Sequence, residues 1–137
     1  MHPHTAPTSR SVGRRDRGAA SAELVIATPF LLLLLMLIIQ GALWAHATNI
    51  ARAAAAAGME TARAHGSTPH AGETQAALVL AHTGPTLLTN VDIRAQRGPD
   101  QTRVQIRATA ITLIPGLRLP ISVKATGVTE VFRSDDR

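Results

Sequence analysis

The chain has 137 residues, 45% of them apolar, with no cysteine and no tyrosine. That length predicts one small domain, and the lack of cysteine removes disulfides and thiolate metal sites. Two Phe and one Trp are too few for a base-stacking surface. The net charge of +5 is local, because residues 1–18 hold four Arg and one Asp while the rest hold ten basic and eight acidic side chains.

Residues 1–18 read as a basic leader. The stretch "MHPHTAPTSRSVG" is rich in Pro, Ser and Thr and is expected to be disordered, and Arg10, Arg14, Arg15 and Arg17 follow within it. From Leu24 to Ala45 there are 22 residues without a formal charge, with "FLLLLLMLII" at their centre. At helical rise these reach about 33 Å, enough to cross a hydrocarbon core of about 30 Å. No Lys or Arg follows until Arg52, so the charge bias predicts a single-pass cell-membrane protein with a cytoplasmic N-terminus and an extracytoplasmic C-terminal part. Trp44 falls at the far interface. Two other readings compete. One is a buried core helix, for which the run is long and very apolar. The other is a cleaved signal peptide, with "AHA" at Ala45 to Ala47 as its small-x-small site, although signal cores run to about 15 residues.

Glu23 stands at the entrance of the apolar run, where a carboxylate needs a reason. The plainest reason is a helix-start acid favoured by the macrodipole. Pro29 is expected to loosen the turn around Val25 and Ile26 or to be a tolerated kink. Gly41 and Ala45 form a small-xxx-small pair.

Beyond the run, "NIARAAAAAGMETARAHG" favours helix. It extends the membrane helix to about residues 64–65, with Gly58 a soft point and Gly66 a stop. A second, shorter helix is predicted over 69–82, where a Ser/Thr cap precedes Pro69 and Gly84-Pro85 ends the segment. From Asn90 the period becomes two. Val91, Ile93 and Ala95, then Val104, Ile106 and Ala108, then Ile121, Val123 and Ala125 alternate with polar residues. "RGPDQ" and "IPGLRLP" separate these runs, and Gly127 marks a candidate bulge. The predicted fold is α+β: a long N-terminal transmembrane helix extending outside the membrane, a shorter helix and a small three-stranded antiparallel sheet, pilin-like in plan. The domains are then the leader at 1–18, the spine at 19–65 and the helix plus sheet at 66–137.

No catalytic chemistry is legible. His2, His4, His46, His65, His70 and His82 make no ligand spacing with a nearby acid. There is no phosphate loop, no nucleophile elbow and no paired carboxylates of evident role. The expectation is a non-enzyme without cofactor or metal, binding neither nucleic acid nor a small-molecule substrate.

Gly18, five residues before Glu23 and directly after the Arg cluster, resembles a prepilin processing signal. The stretch "RRDRGAASAELVIATPFLLLLL", with Pro29 six residues after Glu23, and the Ala-rich helix to Gly66 resemble the TadE-like minor pseudopilins of the Tad (Flp) pilus system. The resemblance implies cytoplasmic-side cleavage between Gly18 and Ala19 by a membrane aspartyl prepilin peptidase. Glu23 would become residue five, one helical turn from the new Ala19 amine. The family usually has an aromatic residue after the Glu, where this chain has Leu24, so an uncut anchor stays open. The implied role is a structural component of pilus or secretion assembly, with the membrane, other pilin-like subunits, pilus platform proteins and the peptidase as partners. A signal-anchored or signal-peptide-cleaved exported binding module with no pilus role is the alternative.

Overall fold

A computed structural model describes the backbone of residues 15–129 and the side chains of residues 21–129. Arg14 and the rest of residues 1–14 lie outside the described residues. The elements run α1 (Arg15–Arg63), α2 (Pro69–Thr83), β1 (Leu88–Arg97), β2 (Gln101–Ala110) and β3 (Leu119–Val128). This is the expected α+β order of one long helix, one short helix and three antiparallel strands in the order β1-β2-β3. The helix begins at Arg15, inside the segment expected to be an unstructured leader to Gly18. Arg, Ala and Leu are good helix formers, and one Gly costs a helix only about 1 kcal/mol.

The chain divides into two compact units, one ending at Leu37 and the other starting at Ile38. In the first, every large apolar side chain from Leu24 to Leu37 is at least 40% exposed, so none of the described residues covers them. The helix passes through Pro29 without a break. Thr28 Oγ1 donates to Leu24 O at 2.6 Å, adding a bond in the turn where Pro29 has no N–H to give.

The second unit has a conventional core. Ala47, Ile50, Ala51, Ala54 and Ala55 of α1 pack with Ala76 and Leu80 of α2 and with Val104, Ile106, Ala108, Ile121 and Val123 of the sheet. Buried side chains of β2 alternate from Thr102 to Ala110, as a period of two requires. The register sets Ile93 against Ile106 and Ala95 against Val104 on the inner face, with Asp92 against Arg107 on the outer. Ile106 faces Val123, and Ala108 faces Ile121.

Helix ends are closed by local and distant groups. α1 ends at Arg63, and Gly66 takes φ +74° in the turn that follows, where Ser67 N–H bonds Ala64 O at 3.1 Å. Arg97, at the end of β1, places Nη1 within 2.8 Å of both Ala62 O and Ala64 O and 3.0 Å from Ser67 O. A guanidinium there meets the carbonyls that a helix C-terminus leaves without partners, and its charge opposes the negative end of the dipole. Thr68 caps α2 by accepting Ala71 N–H at 3.2 Å, with Pro69 in the first turn.

Four details differ from the sequence reading. Strands start or end several residues beyond the alternating runs, because pairing continues through Leu88↔Ala110 and Ala110↔Leu119. The bulge lies in β1 between Thr89 and Asp92, where Asn90 adopts φ +52°, and the ladder passes Gly127 in regular register. Asn tolerates the left-handed region, and the extra residues leave Val91 43% exposed instead of facing the core. Gly127 instead gives room to Met59, whose Sδ would collide with a Cβ there. Gly58 is no soft point: α1 runs through it, and a Cβ there would sit 2.6 Å from Gly72 O and 3.0 Å from Ala76 Cβ. Gly58 and Gly72 are the close crossing of α1 and α2.

Candidate processing and assembly segment

The sequence-predicted site residues all lie on the first part of α1 or before it. Arg15, Arg17, Gly18 and Ala19 are in the helix by backbone, and Arg14 precedes the described residues. Glu23 is exposed, Leu24 is 65% exposed, and Pro29 is inside the helix. Their helical spacing places Ala19 and Glu23 four residues apart, on one face. Glu23 heads a sleeve of aliphatic side chains pointing outward on all sides. Such a surface is unstable in water, since exposing each large aliphatic side chain costs roughly 1.5–3 kcal/mol relative to burying it. By length and composition this helix can cross a membrane.

The downstream limit of that sleeve is set by a residue the sequence reading passed over. Gln40 lies inside the uncharged run expected to reach Ala45, yet it is 2% exposed. Its Nε2 donates to Ile111 O at 3.1 Å, and its Oε1 accepts Leu113 N–H at 2.7 Å. The folded unit therefore engages one face of the helix from Gln40 onward, while Gly41, Ala42, Trp44 and Ala45 stay exposed on the rest of it. The available signal was a lone carboxamide among aliphatic residues, but its partners are 71 and 73 positions away.

Ala47 of the "AHA" stretch is fully buried in the core. Cutting there would remove Gln40 and Trp44, with the bonds they make to the 111–120 segment. That arrangement disfavours the signal-peptide alternative.

Elsewhere, the outer sheet face gathers Arg94, Arg103, Arg107 and Lys124 around a shallow polar hollow with Asp92, Gln96 and Gln105. Asp92 pairs with Arg94 at 3.1 Å. Glu73 of α2 accepts Ala95 N–H at 2.8 Å, satisfying an amide of the β1 edge. Among the described residues no group of three His, Cys, Asp or Glu side chains converges.

Among known protein families, a model described as TadE-like protein matches residues 18–60. No curated protein and no solved structure matches the chain. The family match starts at Gly18 and ends at Glu60, covering Glu23, the aliphatic sleeve and most of the Ala-rich packing helix, and over these residues the chain is similar to TadE-like proteins.

Proposed function

We propose that the protein is a minor-pseudopilin-like structural component of a Tad-type pilus or related secretion assembly. In this reading it is anchored by a single pass, with the leader in the cytoplasm and the domain outside. The observation that carries the proposal is the coincidence, within residues 18–60, of the TadE-like match with an uncovered aliphatic helix headed by Glu23. A TadE-like segment on a helix able to span a membrane fits a Tad-type pilus component.

The finer roles follow from chemistry. Arg14, Arg15 and Arg17 hold the leader on the cytoplasmic side. Gly18 presents a scissile bond to Ala19 with no side chain to obstruct a narrow peptidase cleft. The released Ala19 ammonium is drawn to Glu23, of its own chain or of a neighbour, in a poorly hydrated setting. Leu24 and Pro29 belong to the same motif. Partners are other pilin-like subunits, platform proteins and the prepilin peptidase. The protein performs no catalysis and uses no cofactor.

N-terminal mapping of the membrane-extracted protein tests this reading. Ala19 as first residue is expected, and Gly18→Val should retain the leader when the peptidase is co-expressed. Loss of the leader from both forms rejects the site. A first residue of His46 or Thr48 would favour the exported module. Glu23→Gln should insert normally but recover less partner pilin on crosslinking, and equal recovery would reduce Glu23 to a helix-start acid.

A further inference from the structure

We infer that the β2–β3 connection, residues 111–117, is a membrane-dipping loop that seats the folded unit directly on the bilayer interface. The inference rests on the membrane reading of the aliphatic run. Three observations carry it.

The first is length. The stretch uncovered on every side, Leu24 to Ile39, is 16 residues, about 24 Å at helical rise, against a hydrocarbon core of about 30 Å, so a spanning helix brings the level of Gln40 to Ala45, exposed on its outer face, into the bilayer as well. Upstream, Glu23 resists burial in lipid and bounds the run. Downstream, the remaining length falls at the level of Gln40, whose amide is already satisfied by the loop. A polar side chain with both its donor and acceptor bonded enters the interface at far lower cost than a carboxylate.

The second is the surface of the loop. "ITLIPGL" has no charged side chain. Leu113 is 48% exposed and Ile111 39%, among the largest uncovered aliphatic groups of the second unit. Arg118 follows immediately and is exposed, well placed to hold its charge among lipid headgroups while its stem lies on apolar surface. Trp44, 42% exposed, has its indole N–H 3.5 Å from Pro120 O, an amphipathic ring of the kind enriched at membrane interfaces.

The third is rigidity and place. Ile111 N–H is held by Leu87 O at 3.0 Å, and Leu117 N–H by Ile114 O at 3.2 Å. Pro115 and Gly116, with φ +82° at the glycine, make that turn a type II shape. Helical side chains lean toward the helix N-terminus, so Gln40 brings the loop to the end of the unit where the chain continues into the aliphatic run. The loop is thus held as a fixed apolar prominence at the end from which the anchor leaves. The partner that matches uncharged aliphatic surface flanked by Trp and Arg is the headgroup–acyl boundary of a bilayer.

The chain has no cysteine of its own, so single introduced cysteines report unambiguously. The full chain is reconstituted in phosphatidylethanolamine–phosphatidylglycerol vesicles with an environment-sensitive fluorophore on Leu113→Cys, Lys124→Cys or Leu33→Cys. Quenching is then read from aqueous iodide and from a lipid carrying a shallow nitroxide. The Leu113→Cys probe should be quenched by the nitroxide lipid and be severalfold less sensitive to iodide than the Lys124→Cys probe, at every protein density. Ile111→Cys gives a second site if circular dichroism shows that Leu113→Cys misfolds. Iodide quenching at Leu113→Cys equal to that at Lys124→Cys, with Leu33→Cys still shielded from iodide, overturns the loop while leaving the span intact. Shielding from both quenchers that grows with protein density also overturns it, because another protein surface then covers the loop. Iodide quenching at Leu33→Cys instead removes the membrane reading itself.

Discussion

One helix in this protein is written in two vocabularies. From Leu24 to Ile39 α1 is built mainly of Leu, Ile, Val, Phe and Met, whose side chains are uncovered, interrupted only by Ala27, Thr28 and Pro29. From Ala47 to Ala62 the buried face toward the sheet and α2 is mostly Ala and Gly, with Thr48, Ile50 and Met59 the larger side chains on it. Both stretches are apolar, but they meet different surroundings. A fluid hydrocarbon accepts any large aliphatic surface and asks for no particular shape. A folded sheet and a crossing helix are close-packed and rigid, so the helix must be thin where it touches them. Hydrophobicity alone would merge the two halves, whereas side-chain volume separates them.

The difference is testable by substitution, using the stability of the folded unit in detergent as the readout. Ile106→Ala should have the largest effect, about 2–5 kcal/mol, because a fully buried side chain at the sheet centre leaves a cavity. Chemical denaturation monitored by circular dichroism would measure it. Gly58→Val should cost about 1–3 kcal/mol by overpacking, since the nearest atom to the new Cβ is the backbone oxygen of Gly72, which cannot swing aside. Arg97→Leu should cost about 1–3 kcal/mol, leaving carbonyls of Ala62, Ala64 and Ser67 without their guanidinium. Faster amide exchange confined to the last turn of α1 would locate that loss. Leu33→Ala should leave the domain's unfolding midpoint unchanged within about 0.5 kcal/mol, as for surface sites without special contacts. A Leu33→Ala effect as large as that of Gly58→Val would dissolve the distinction between the two halves.

The same distinction explains what the sequence disclosed. The three strands were legible because alternate burial leaves a period of two, and α2 because Thr68, Pro69 and Gly84 punctuate its ends. Gly66 declared a helix stop through its tolerance of positive φ. The role of Gly58 was hidden because it depends on Gly72 in another helix. Gly127 looked like a bulge for the same reason, its absent side chain being required by Met59 and not by the strand. Asn90 gave little warning, as one polar residue among several in a strand. Gln40 and Arg97 serve partners tens of residues away, and no local pattern points to such bonds. The processing motif proposed at Gly18, Ala19, Glu23, Leu24 and Pro29 rests on spacing and resemblance, and the fold adds only that Glu23 is exposed at the head of the uncovered sleeve.

Cysteine accessibility in intact spheroplasts bears most directly on the two-solvent helix. With a membrane-impermeant maleimide, Lys124→Cys should label at once, while Leu33→Cys should label only after the membrane is dissolved and the protein denatured. Labelling of Lys124→Cys only after lysis would reverse the orientation, and rapid labelling of Leu33→Cys in intact spheroplasts would contradict a lipid-solvated helix altogether.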